Sequence, residues 1–156
     1  MQTIILYATK HGGTREIAQR IASKIPGSEM HDLKQSPAPS LSQYDCIIIG
    51  SPLYAGAIRK EVKAFLLQSA EALQKKRLGL FLSGLSPEEK KTFFEANYSP
   101  EILQSAKAKG FLGGIYDPKK AGFMERFLMK AIAKQKDYAD KIDDTAISQF
   151  VKDLQA

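Results

Sequence analysis

Residues Thr3–Tyr7, TIILY, form an unbroken apolar and largely β-branched run, the pattern of a parallel strand buried on both faces. Comparable runs recur at Cys46–Ile49 (CIII), at Leu78–Leu82 (LGLFL) and, more weakly, at Phe111–Tyr116 (FLGGIY). A short polar strand, SEMHDL, ends at Leu33. Between these runs the apolar residues return at helical spacing. Ile17, Ile21 and Ile25 with Ala18 and Ala22 make one such face, and Ile58, Val62, Phe65 and Leu66 make another. Strand therefore alternates with helix, which predicts an α/β fold: an open, five-stranded parallel sheet with helices on both faces, in one domain spanning residues 1–156.

Turn chemistry refines the connections. SPEE at Ser86 offers a capping hydroxyl, a proline at the first helical position and Glu89 three residues on, so a helix is expected to start there. The second proline signal, SPEI at Ser99, predicts two short helices or one broken one. KQSPAPSLSQYD is too rich in proline for a full helix and is expected to make about one turn, with Leu41 and Tyr44 packed inward. After the last strand the chain has room for two helices. GFMERFLMKAIAKQ carries Phe123, Met124, Phe127, Leu128 and Ile132 beside Arg126, Lys130 and Lys134, and is expected to be a core helix with solvated lysines, the alternative being contact with a bilayer or a redox partner. TAISQFVKDL places Ile147, Phe150, Val151 and Leu154 on one face for docking against the sheet.

Composition narrows the function classes. No apolar run approaches the roughly 20 residues that span a bilayer, and the opening MQTIILYATK reads as a strand without the basic start and cleavage site of a signal peptide. The single cysteine, Cys46, forms no internal disulfide, which fits a reducing cytoplasm. A net charge of +6 favours an anionic partner: an acidic protein, a lipid surface or an anionic small molecule. Nucleic acid fits less well, because no platform of interleaved aromatic and basic residues is present.

Open parallel sheets bind ligands beyond the carboxyl ends of their strands, so the strand-end loops carry the functional reading. The first, TKHGGT, has two glycines that let backbone amides approach an anion, hydroxyls at Thr9 and Thr14, and Lys10 and His11 nearby. It lacks the Gly-Lys-Ser/Thr of an NTPase loop and the spaced glycines of a dinucleotide fingerprint. Cys46 begins a buried strand and suits a core residue better than a phosphatase nucleophile. Gly50 and Ser51 stand where a response regulator needs an aspartate. The second loop, GSPLYAG, combines a fixed turn with Tyr54 as a stacking partner for a planar ring. The third, SGLS, sets small residues on the same rim, where exposed backbone amides are expected.

Together, ATKHGGT, IIIGSPLYAG and FLSGLS resemble the strand-end loops of the flavodoxin family. Thr9, Gly12 and Thr14 match its Thr/Ser-x-Thr-Gly-x-Thr phosphate loop, and His11 stands where a hydroxyl residue is usual. The resemblance implies FMN as cofactor. Its phosphate would lie on Thr9, Lys10, His11, Gly12, Gly13 and Thr14, and its ring between Ser51, Pro52, Leu53, Tyr54, Ala55 and Gly56 on one side and Ser83, Gly84 and Leu85 on the other. TREIA, IRKEVKAFL and ERFLMKAIAK after GGIYDPKKAG are similar to the branch containing menaquinone-dependent protoporphyrinogen dehydrogenases. The segment before the fifth strand is shorter than in those enzymes and lacks their basic insertion, so cofactor binding carries over better than substrate.

A flavin supplies the redox chemistry and the protein holds and tunes it. No catalytic acid or base stands out in the loops, which favours an electron carrier between partners over an enzyme. Acidic side chains are scarce in these loops, so a basic surround and a raised flavin potential are expected. The alternatives are a quinone-linked protoporphyrinogen dehydrogenase, peripheral to the inner face of the membrane, and a flavin-free binding module on the same fold.

Overall fold

The computed structural model describes residues 1–156. Five parallel strands, β1 (Thr3–Tyr7), β2 (Glu29–Asp32), β3 (Cys46–Pro52), β4 (Arg77–Ser83) and β5 (Ala106–Phe111), lie in the order β2-β1-β3-β4-β5. Their crossovers are α1 (Gly13–Lys24), α2 (Lys60–Gln74), and the pair α3 (Lys90–Asn97) and α4 (Pro100–Ser105). A two-residue pair, β6 (Ile115–Tyr116) with β7 (Ala139–Asp140), brackets α5 (Phe123–Ala131), and α6 (Asp144–Gln155) closes the chain.

Strand alternation divides the core in two. Ile4, Leu6, Ile47, Ile49, Leu78, Leu80 and Leu82 face α2, α3 and α4, where they meet Val62, Leu66, Leu73, Phe94 and Ile102. Ile5, Tyr7, Cys46, Ile48 and Phe81 face α1 and α6, against Ile17, Ile21, Ile147, Phe150 and Leu154. Burial on both faces explains why the central strands read as continuous apolar runs. Each fully buried isoleucine contributes about 1.5–3 kcal/mol relative to exposure. Gly50 is dictated by its register partner on β4: a Cβ there would lie 2.0 Å from Phe81 Cζ. Cys46 is a free thiol inside this core, and burial pushes its pKa up, which suits an inert residue.

Two expectations are corrected. The fifth strand is AKAKGF, Ala106–Phe111, and not Phe111–Tyr116. As an edge strand it exposes Lys107 and Lys109 and buries Ala108 between them, so its pattern is period-two and lacks a long apolar run. Phe111–Tyr116 instead breaks at Gly113, whose φ is +83° and where a Cβ would lie 1.9 Å from the Lys141 carbonyl oxygen. Ser86 makes no side-chain cap; a single 3-10 turn at Pro87–Glu89 precedes α3, which starts at Lys90. Ser99, in contrast, caps α4 by accepting a hydrogen bond from the Ile102 N–H, so the segment does hold two short helices. Leu41–Gln43 makes the one turn expected of the proline-rich segment, with Tyr44 buried behind it.

Candidate functional site

The strand order reverses between β1 and β3, and a cleft of about 610 Å³ opens there at the carboxyl ends of β1, β3 and β4. All the residues expected to form the site line it except Gly12 and Ser51.

The first loop is shaped by Gly12. Its φ of +97° is the left-handed conformation that turns the chain into α1, and its N–H donates to Thr9 Oγ1 at 2.9 Å. Gly12 thus frames the loop from outside the cleft. The first N–H groups of α1, from Gly13 onward, have no intrahelical partner and carry the positive end of the helix dipole. Thr14 is buried, and its Oγ1 lies 2.8 Å from Ser83 Oγ at the end of β4. Two hydroxyls that share one hydrogen bond leave one O–H free to donate. The Thr9 hydroxyl, which accepts from Gly12, keeps its own proton free as well.

The second loop is a tight hairpin. Tyr54 and Ala57 exchange backbone hydrogen bonds of 2.9 and 3.0 Å, and Ala55 (φ +50°) and Gly56 (φ +80°) between them are both left-handed, as a type I′ turn requires. Asn97 at the end of α3 clamps this turn. It donates from Nδ2 to the Gly56 carbonyl at 2.8 Å and accepts from the Ile58 N–H at 3.0 Å. Ser51 is fully buried and belongs to the same frame, accepting from the Arg59 N–H at 2.9 Å and donating to the Pro52 carbonyl. Its hydroxyl proton is engaged inside the loop, and the residue supports the cleft from behind its lining. Tyr54 is half-exposed at the mouth, with Lys10 Nζ 4.9 Å from its ring centroid.

At the third loop the Gly84 N–H is not exposed for a ligand; it donates to the Gly113 carbonyl at 2.9 Å. Gly114 stands directly against it, where a Cβ would lie 2.9 Å from the Gly84 nitrogen. Ser83, Gly84 and Leu85 still line the cleft, but as a wall.

The largest departure concerns α5. Instead of entering the core, this helix crosses above the cleft, and none of its residues is buried. Glu125, Leu128 and Met129 turn inward and line the site, with Ile132 at its rim. Glu125 pairs with Lys10 and stands 3.0 Å from His11 Nε2. Burial works to raise the Glu125 pKa, but hydrogen bonds and charge from Lys10 and His11 outweigh it and hold the carboxyl below the ordinary glutamate range. Glu88, Glu89 and Asp117 also face the cleft, so the expected basic surround is corrected to a mixed one: four carboxylates, all from outside the three loops, stand against Lys10, His11, Arg59 and Lys134. Sequence reading missed these residues because none sits on a strand-end glycine loop. Asn97 was equally silent, since its role depends on α3 packing beside the second loop.

An open parallel sheet with a cleft at its switch point and an amide-rich helix start is the architecture of the flavodoxin-like proteins. The chain belongs to the flavodoxin domain family, whose model matches residues 4–143, and is a flavin-binding redox protein of that family. It is 24% identical over 144 residues to protoporphyrinogen IX dehydrogenase [quinone] of Escherichia coli strain K12, covering 86% of this chain and 80% of that one. Among solved structures, oxidised flavodoxin 1 from Bacillus cereus is similar in fold, with a TM-score of 0.56 at 18% identity, over 99% of this chain and 97% of that one. Rubredoxin oxygen:oxidoreductase from Desulfovibrio gigas contains the same fold, with a TM-score of 0.55 at 18% identity, but this chain spans only 36% of its length.

Proposed function

We propose that the cleft holds FMN and that the protein carries electrons between redox partners. The observation that carries this reading is the convergence of three loops, Thr9–Thr14, Pro52–Gly56 and Ser83–Leu85, on one cleft at the switch point of the sheet. The residues suit the group. Unpartnered N–H groups at the start of α1 and the free O–H donors of Thr9 and the Thr14–Ser83 pair match a phosphate. Pro52, Leu53, Tyr54 and Leu85 supply apolar surface for a planar ring. When bound, the flavin supplies the electron-accepting chemistry. The protein's own part is to orient it, restrict water through the α5 roof, and set the surrounding charge with Lys10, His11 and Glu125.

A second reading, a quinone-linked protoporphyrinogen dehydrogenase, draws support from the 24% identical E. coli enzyme and from α5. The inward Leu128 and Met129 give the cleft an apolar ceiling suited to an apolar electron acceptor.

Purified protein should show the visible absorption of bound flavin, or take up added FMN with quenching of flavin fluorescence. A colourless protein that fails to bind FMN would end both readings and leave a flavin-free module. Complementation of a strain lacking protoporphyrinogen oxidation separates the two: growth supports the dehydrogenase, and failure by an expressed, flavin-loaded protein supports the carrier.

A further inference from the structure

No helix of this protein is long and apolar enough to cross a membrane, yet α5 displays the side chains of a helix that lies on one. Phe123, Met124 and Phe127 are 75%, 60% and 60% exposed. At 100° per residue these three fall on one face, turned away from the face that carries Glu125, Leu128 and Met129 over the cleft. Arg126 and Lys130 flank the outward face. From residue 118 to residue 136 the chain carries five cations outside the cleft, Lys119, Lys120, Arg126, Lys130 and Lys136, and one carboxylate, Glu125, with Asp117 and Asp137 at the two ends of the stretch. Glu125 is turned inward and neutralised by Lys10 and His11. The outer surface of the roof is therefore apolar at its centre and cationic at its border.

We propose that the outward face of α5 seats on an anionic lipid bilayer, with Phe123, Met124 and Phe127 entering the headgroup boundary and Arg126 and Lys130 meeting anionic headgroups. Charge complementarity selects this occupant. A second copy would bring an equally cationic border against the first, and an acidic protein surface would satisfy the lysines while leaving the phenylalanines facing carboxylates. A bilayer supplies the negative charge and the apolar layer together. The inference is independent of what fills the cleft. It sets the roof of the cleft, and thus its mouth, at the lipid surface.

The test is co-sedimentation of the full chain with vesicles of phosphatidylcholine alone, or of phosphatidylcholine with a minority of phosphatidylglycerol. Binding to the mixed vesicles, weakened by added salt, is expected, with little binding to the neutral ones. The Phe123→Ser/Phe127→Ser variant removes only exposed rings and should lose about tenfold or more of the partition, with circular dichroism and thermal midpoint unchanged. An Arg126→Glu/Lys130→Glu variant should lose a similar amount through charge alone. Absence of binding to anionic vesicles, or binding undiminished in both variants, overturns the proposal. So does a concentration-dependent dimer in sedimentation equilibrium that the phenylalanine variant abolishes, since the face would then belong to a second copy.

Discussion

Glu125 Oε2 lies 3.0 Å from His11 Nε2 across a separation of 114 residues, and this contact, with the neighbouring Lys10 pair, ties the roof helix to the first strand-end loop. Because the folded Glu125 pKa is depressed, the unfolded chain takes up a proton first as pH falls. The contribution of the latch is thus fully present above the ordinary glutamate range and is lost as pH drops through the lowered folded value. Amide hydrogen exchange over Phe123–Ala131, corrected for intrinsic rates, should accelerate in that window in the native protein. Glu125→Gln should exchange rapidly there even at neutral pH, with the strands unaffected. Equal protection of α5 in both proteins at neutral pH would show that the latch does not hold the helix.

Thr14→Ala should weaken FMN binding by about 1.5–3 kcal/mol, the range of a hydrogen bond to a charged group. It removes a buried hydroxyl and also strips Ser83 of its partner. Thr9→Ala should cost less affinity while loosening the turn, since Thr9 Oγ1 holds the Gly12 N–H. Calorimetric titration with FMN measures both. Unchanged affinity in both variants would mean that the loop is misassigned.

Asn97→Ala is expected to act at a distance from its own position in the chain. It frees the Gly56 carbonyl and the part-buried Ile58 N–H, at about 1–3 kcal/mol for the unsatisfied group. The left-handed Ala55–Gly56 turn then loses its clamp. A lowered thermal midpoint together with weaker FMN binding is the expected pair of results; a stability loss with affinity intact would show that the hairpin is not part of the binding site.

Gly50→Ala should destabilise the domain by about 1–3 kcal/mol or more through overpacking, because the added Cβ collides with the Phe81 ring. Phe81→Leu introduced alongside it should recover part of the loss in thermal unfolding. An equally large loss in the double variant would place the strain in the backbone instead of the ring.

Legibility followed the range of the interactions involved. The central strands were readable because burial on both faces imposes unbroken apolar runs, as in Cys46–Ile49. The glycine-rich Thr9–Thr14 loop was readable because its chemistry is contiguous. Strand β5 was misread because an edge strand has one wet side, and Lys107 and Lys109 hid it. Ser51 and the Gly84 amide were expected to face a ligand, but both donate their protons within the protein, to the carbonyls of Pro52 and Gly113. No local pattern states how a polar group divides itself between ligand and protein.

The amphipathic period of α5 was visible too, but its position was not. Helical spacing fixes which side chains share a face and is blind to what that face meets. The alternation of strand and helix, the two-faced core and the three loops at the strand ends are written in the chain's local pattern, because they rest on contacts between near neighbours and on periodicity. That α5 roofs the cleft, that Glu125 closes on Lys10 and His11, and that Asn97 clamps the second loop emerge from long-range packing alone. Those outcomes depend on where distant segments come to rest, which chain packing settles and local propensity does not encode.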